Sequence, residues 1–471
     1  MSAVAHGERP LAEVRSARWA SALATALALV LVAAAVEVVL DGALGHSAEI
    51  PLQPDISGWL TTPVWGGARI GERLGFRVFI IALLASTGAY GGLVVLAGRA
   101  GAWTGRARRE RAQAPAISAR WAIALVAALQ LIVFAGPVLI STDVFSYIAY
   151  ARMGVEHGMN PYLNGPLAIA GDPVFKYVGT DWIHVATAYG PLYTLLSYPL
   201  APLGVVGALW GMKLEALLAS AGTLALTWRC ARARGLDPVL ALLVVGANPL
   251  YVLYGLGGAH NDLIMMLTMM AAVSLMLAPR TPGVGGIGAR REAGAAAWVV
   301  AGALIKATVA VLLPFMILSR RRLAPILGAL AAIALGALAG YAVFGIHGID
   351  LVAALNRDAA FVSTDSFATE IAHLFGKPGV FPVDHDLLKA ALVAIVLYLL
   401  WRTWRGYDWV AASGWALLAI SVTSTWLLAW YILWPLPLAV VTRDRRLLAA
   451  TLAVQALFVV HQTSPLLAPV K

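Results

Sequence analysis

The chain has 471 residues, 60% of them hydrophobic and 12% charged, with a formal net charge of +10 and a mean hydropathy of +0.80. A soluble domain carries about a quarter of its residues as charges, so a soluble enzyme, a disordered regulator and a secreted disulfide scaffold are all excluded. Cys230 is the only cysteine, which removes any intrachain disulfide or cysteine-built metal site. No solvated basic domain accompanies the positive charge, so it carries no nucleic-acid meaning.

A membrane helix needs about 20 mainly apolar residues. Such runs are predicted at 19–40, 77–98, 121–140, 206–228, 238–256, 262–279, 323–345, 387–401, 410–424, 426–441 and 447–463. Two regions fit less well. Residues 190–204 (GPLYTLLSYPLAPLG) are apolar, short and proline-broken, and read as a re-entrant or interfacial element. Residues 294–318 suffice for one tilted span, but Lys306 sits at their middle and both flanks are basic. Two short helices, 294–305 and 308–318, turning around Lys306 satisfy both constraints. The expected fold is an all-α polytopic membrane protein of about 13 segments, a single multi-pass domain over 1–471.

Orientation follows from the basic residues of the short loops. Of the 34 Lys and Arg residues, 23 fall on one side, including Arg106, Arg108, Arg109 and Arg111, the run Arg320–Arg322, and Arg443, Arg445 and Arg446. That side is predicted to be cytoplasmic, with the N-terminus inside. The first hydrophobic run is too long for a typical signal-peptide core and reads as a retained helix. The outer segments are then expected at 41–76, 141–189, 257–261, 346–386 and the C-terminal tail. The long ones at 141–189 and 346–386 hold aromatic residues, Gly-Pro turns and carboxylates, whereas the inner loops are short and arginine-rich. Long structured loops carry function more often than short ones, so any reaction is expected on the outer face.

The loop at 141–189 opens STDVFSYIAYARMGVEHGMNPYLNGP. Asp143, Tyr147 and Tyr150 fall at helical spacing, which suggests a short helix lying on the membrane. A carboxylate at a bilayer edge is partly desolvated, and its raised basicity suits a general base. Equally, Ser-Thr-Asp is good helix-capping chemistry. Tyr189 precedes Pro191, which is well placed in a first helical turn; it is either an interfacial anchor or a ligand contact. The turn LYGLGGAHNDLIMM (253–266) sets His260, Asn261 and Asp262 at a helix start between two apolar spans, which is costly unless used. Asn261 or Asp262 is expected to cap that helix, leaving the other groups for function, with His260 as a donor or positive charge. Lys306 either reaches a lipid phosphate or holds a carboxylate, with Glu215 as a candidate partner. Lys213 and Glu215 lie near a helix end and are expected to snorkel. The charges of the second long loop, among them Arg357 and Asp358, read as solvated surface. In TSTWLLAWYILWP (423–435), Trp430 and Tyr431 form part of an aromatic belt or stack on a sugar or polyprenyl chain.

Taken together, TDVFSY with NPY (142–147, 160–162), YGPL (189–192), GGAHND (257–262), the lysine of the broken hydrophobic pair (306) and WYILW (430–434) resemble one family. It is the polyprenol-phosphate-mannose-dependent α-1,6-mannosyltransferases of actinobacterial envelopes, within the GT-C glycosyltransferase superfamily. The resemblance covers roughly residues 120–435 and implies a GT-C fold with an exterior active site. It also implies sugar transfer from a polyprenyl phosphate, usually with inversion, and an acidic base in the first long outer loop, here Asp143. The family's motif often shows two adjacent acids where this chain has Thr142 before Asp143. A second local carboxylate would have to be Glu156, Asp172 or Asp181.

The expected activity is therefore transfer of a sugar, most simply mannose, from a polyprenyl-phosphate donor to a lipid-linked or glycan acceptor hydroxyl at the outer face of the plasma membrane. Asp143 would be the base; His260, Lys306 and Arg152 are candidates for the leaving phosphate. Tyr147, Tyr189, Asn261, Asp262, Trp430 and Tyr431 complete the substrate-binding set. No cofactor or metal is expected, because the leaving group carries its own charge. The alternative is a flippase or secondary transporter of a lipid-linked saccharide, for which intramembrane ionisable residues such as Glu37, Lys213, Glu215 and Lys306 are few.

Overall fold

The computed structural model describes residues 11–43, 72–98, 117–278, 285–349 and 361–463. Most of the 41–76 loop, the arginine-rich stretch 99–116, and Arg357 and Asp358 lie outside them. Among the described residues there is no strand. The helices are α1 (Leu11–Ala43), α2 (Glu72–Ala97), α3 (Ala119–Ala135), α4 (Asp143–Val155), α5 (Pro191–Ser197), α6 (Gly204–Ala233), α7 (Pro238–Gly246) and α8 (Asp262–Leu277). They continue with α9 (Gly285–Ala303), α10 (Leu312–Arg320), α11 (Leu323–Phe344), α12 (Phe367–Leu374), α13 (Pro382–Trp404), α14 (Trp409–Thr423), α15 (Leu436–Val440) and α16 (Arg445–His461). Among the described residues, four stretches are long and apolar enough to cross a membrane, Trp19–Gly42, Leu74–Ala97, Pro191–Ala233 and Leu323–His347. Apart from the unbroken 23-residue helix α13, most of the other expected spans are shorter or broken helices.

Burial sorts the helices. Nearly every side chain of α7 and α8 is covered, with Met265, Met266, Met269 and Met270 filling the interior. A helix that is apolar all round belongs inside a bundle, and methionine adapts to irregular gaps there. By contrast α11 and α13 expose rows of large apolar groups, such as Leu327, Leu335, Val393 and Leu397. An exposed apolar face of that extent belongs against lipid.

Several expected spans are interrupted, each for a local reason. The run 238–256 is α7 followed by a π-helical turn at Tyr251–Leu256. The break is held by Asn248, whose side chain accepts from the Leu250 and Tyr251 amides and donates to Gln455 Oε1 at 2.8 Å. The run 426–441 is not one helix. It holds a 3-10 turn at Tyr431–Leu433 and the five-residue α15, since Pro435 and Pro437 remove backbone donors. The helix at 143–155 is present, but it does not lie on a surface: Val144 to Ala151 are all buried by protein. Lys213 does not snorkel either. It is 2% exposed, and its ammonium donates to the Gly136 carbonyl at the end of α3 while sitting 4.8 Å from the Trp210 ring.

The two regions that fitted least well prove to be partners. The chain from α9 stops at Ala303, takes extended backbone at Lys306, and returns through a 3-10 turn (Ala307–Val311) into α10. The hairpin is thus present, although its first helix starts at Gly285 rather than 294. At its tip the Leu304 and Ile305 carbonyls accept from the Leu192 and Gly190 amides, each at 3.0 Å. Residues 190–192 therefore supply the donors that the broken helix would otherwise lack. A Cβ on Gly190 would overlap the Leu304 carbonyl, so only glycine permits this approach. Gly190→Ala is expected to cost about 1–3 kcal/mol through forced displacement, measured as a lowered unfolding temperature of the detergent-solubilised protein.

Candidate active site

Three segments distant in sequence meet around one cavity. The first is the start of α4. Its N-cap is Thr142, and the Asp143 amide bonds Ser141 Oγ at 3.1 Å. The Asp143 carboxylate is therefore not used in capping. It lies 3.5 Å from His260 Nδ1.

The second segment is the turn before α8. Ala259 has a left-handed backbone (φ +50), and a Cβ on Gly258 would overlap the His260 ring. The glycine is thus required by the histidine it precedes. His260 is fully buried and stacks on Trp430 with ring centroids 3.6 Å apart. Neither ring nitrogen has a hydrogen-bond partner. The expectation that Asn261 or Asp262 caps α8 does not hold: Asn261 is the N-cap residue but makes no side-chain cap bond. Its Oδ1 is 3.5 Å from the Tyr147 hydroxyl. The Asp262 carboxylate instead accepts from Trp434 Nε1 at 2.6 Å and from Lys306 Nζ at 2.8 and 2.9 Å.

Lys306, at the hairpin tip, is the third. Its ammonium is held by Asp262 and lies 4.4 Å from the Tyr431 ring and 5.2 Å from that of Trp434. Those two rings stack at 4.4 Å. The lysine takes a carboxylate partner, but from α8 rather than Glu215. The aromatic side chains of 430–434 are packed on His260, Lys306 and Asp262, which an aromatic belt facing lipid would not be.

A cavity of about 300 Å³ opens onto this cluster. Asp143, Tyr189, Lys306 and Tyr431 line it directly. Tyr147, His260, Asn261, Asp262 and Trp430 stand behind its wall; Tyr147 packs edge-on to Tyr189 and Tyr193 at 4.8 and 5.1 Å. Arg152 belongs elsewhere. It bonds both oxygens of Asp172 at 2.9 and 3.0 Å and the Ala201 carbonyl at 3.1 Å, with His157 on the same carboxylate. It ties the 141–189 loop to the segment after α5, and its guanidinium is not available to a phosphate in the cavity. Glu156, Asp172 and Asp181 are likewise absent from the lining, so Asp143 is its one carboxylate among the described residues.

Burial pushes the Asp143 carboxyl up to about 6; the Lys306 charge opposes that rise and the Asp262 charge adds to it. Burial also holds the His260 imidazole well below its ordinary value, and the nearby Lys306 reinforces this. At neutral pH the site therefore contains an ionised but weakly stabilised carboxylate beside a neutral imidazole.

Sequence reasoning missed His385, Lys389 and Trp182 in the cavity wall. Lys389 is a lone cation early in an apolar run, the same signal that singled out Lys306. With His385 it makes an i, i+4 pair on one helix face. Trp182 had no signal, since only tertiary packing brings it edge-on to Trp426 at 5.8 Å.

Residues 57–322 match the family model described as alpha-(1->6)-mannopyranosyltransferase, N-terminal domain, and residues 385–465 match the MptB C-terminal domain. The chain is similar to alpha-(1->6)-mannopyranosyltransferase A of Mycobacterium tuberculosis, 27% identical over 354 residues, covering 68% of this chain and 66% of that protein. It is similar to alpha-(1->6)-mannopyranosyltransferase A of Corynebacterium glutamicum, 29% identical over 189 residues, 40% of this chain and 36% of the relative. The B protein of that organism is 26% identical over 151 residues, 30% of this chain and 24% of the relative. The chain thus spans less than two thirds of the length of these curated relatives. No solved structure matches it.

The Lys306–Asp262 pair makes a prediction that needs no substrate. Lys306→Met strands a buried carboxylate and is expected to cost about 3–5 kcal/mol. Adding Asp262→Asn should recover most of that loss. Thermal unfolding of the wild type and the two variants checks it: equal Tm values for all three proteins would show that the pair carries no weight.

Proposed function

The chain belongs to the alpha-(1->6)-mannopyranosyltransferase family, and on that premise we propose that it moves mannose from a polyprenyl-phosphate donor to a hydroxyl of a lipid-linked or glycan acceptor. The observation that carries the reading is that a carboxylate raised by burial, Asp143, and an ammonium, Lys306, wall one cavity. A base and a cation in a common, largely apolar enclosure are what displacement of a phosphate from an anomeric carbon requires.

In this mechanism Asp143 takes the proton of the acceptor hydroxyl as its oxygen bonds to the anomeric carbon. The bond from that carbon to the phosphate oxygen breaks, and the polyprenyl phosphate leaves with the electron pair, inverting the centre. Lys306 faces the charge that grows on the departing phosphate. His260, neutral and stacked on Trp430, packs beside the Asp143 carboxylate; Asn261 lies beside the Tyr147 hydroxyl, and Asp262 holds Lys306. They are positioning residues in this scheme rather than ligands of the sugar. Because the leaving group is already charged, the chemistry runs without a metal. We further assign a GT-C type fold with about 13 membrane segments, an N-terminus in the cytoplasm and a reaction face outside the cell membrane. The gathering of Asp143, His260 and Lys306 around one cavity supports a transferase over a transporter, which needs ionisable groups along a path open to both sides.

Asp143→Asn, assayed in vesicles with polyprenyl-phosphate mannose and a mannoside acceptor, is expected to lower turnover by about 10²- to 10⁴-fold. Wild-type kcat/KM should rise with pH through about 6 and level off above it, since only the ionised carboxylate accepts a proton. The residual activity of the Asn variant should lack that limb. Undiminished turnover in the variant would remove Asp143 from the mechanism.

A further inference from the structure

The cavity holds a second cation that the mechanism above does not use. His385, Leu388, Lys389 and Leu392 follow one another at i, i+3, i+4 and i+7 on α13, and all four line the cavity. Charge accounting makes Lys389 distinctive. The Lys306 charge is offset by Asp262 at 2.8 Å, whereas Lys389 makes no ion pair or hydrogen bond with any described residue and is exposed. His385 is anchored beside it, with Nδ1 3.4 Å from Thr425 Oγ1. The wall next to these groups is aliphatic, formed by Leu388, Leu392 and, from α14, Ile420. Further along α13, Val393 and Leu397 face outward as part of its lipid-exposed surface.

We propose that Lys389, supported by His385, is the binding site for the phosphate of the polyprenyl-phosphate donor, with the start of its chain on Leu388, Leu392 and Ile420. The inference rests on the donor class given under Proposed function and adds the residues that hold it. Lys389 stands seven residues after the start of α13, roughly 10 Å along the helix, where a helix that enters the bilayer meets the headgroup region. A lipid phosphate carries its charge at that depth and its chain below it. A soluble phosphate or nucleotide would gain nothing from the aliphatic wall. The division of labour follows: Lys389 meets the charge present in the donor before reaction, and Lys306 meets the charge that appears as the bond breaks. Loss of Lys389 should therefore act on donor binding, and loss of Lys306 on turnover.

The test uses the full-length protein in nanodiscs of neutral lipid, with binding measured by quenching of intrinsic tryptophan fluorescence, in the Asp143→Asn background so that no turnover intervenes. The probes are a short-chain polyprenyl phosphate, phosphatidylglycerol and inorganic phosphate. Lys389→Gln is expected to weaken polyprenyl phosphate binding about 10- to 100-fold, and Lys389→Arg to restore most of it. In the otherwise wild-type enzyme the same Gln substitution should raise the donor KM while leaving kcat within about twofold. Because Lys389 is exposed and unpaired among the described residues, its removal is expected to leave folding intact, which thermal unfolding verifies. Equal polyprenyl phosphate binding by the Lys389→Gln variant and its Lys389-containing parent would overturn the assignment while leaving the transferase reading in place. Phosphatidylglycerol or inorganic phosphate binding as tightly as the polyprenyl phosphate would overturn it too, as a generic anion site. Failure of the Lys389-containing protein to bind polyprenyl phosphate at all would overturn both.

Discussion

An ammonium and a carboxylate facing each other inside an apolar bundle, Lys306 on Asp262, organise the candidate site of this protein. Either charge alone would cost several kcal/mol in such surroundings; together, with Trp434 donating to the same carboxylate, they are satisfied. The pair joins the tip of the broken α9–α10 hairpin to the start of α8. The aromatic residues 430–434 pack on both. The hairpin tip in turn completes its backbone hydrogen bonds on residues 190–192, which bring Tyr189 to the cavity. Irregular backbone at three places is thus stabilised by one another and by one ion pair, and the cavity is what lies between them.

The electrostatics of Asp143 follow from that frame. It is buried enough to be a better base than a surface aspartate, and the nearby Lys306 keeps its basicity from rising further. His260 is kept neutral by the same surroundings, so it can sit 3.5 Å from the carboxylate without neutralising it. A protonated imidazole there would form an ion pair with the carboxylate. Stacking on Trp430 secures the ring where hydrogen bonds do not.

Much of this was legible in the sequence because membrane-embedded polar residues are scarce. Asp143, the His260–Asp262 cluster and Lys306 stand out against apolar neighbours. What the sequence could not supply is which polar group meets which. Asp262 and Lys306 are 44 residues apart with no spacing relation, and Glu215 was as reasonable a partner. Arg152 looked free because its partner Asp172 lies across a folded loop. Lys389 passed as an ordinary span residue, since only packing of α13 against α14 turns its face to the cavity. The interrupted spans at 238–256 and 426–441 are apolar on average, and mean hydropathy does not weigh Asn248, Pro435 and Pro437, the residues at which the helices stop.

The central claim is that Asp143 activates the acceptor while cations on other elements take the phosphate. A structure of the Asp143→Asn protein with polyprenyl-phosphate mannose bound tests it most directly. The account predicts the anomeric carbon in the cavity, the phosphate on the side of Lys306 and Lys389, and residue 143 facing the opposite side of the sugar. A phosphate resting against residue 143, with Lys306 and Lys389 remote from it, would contradict the account.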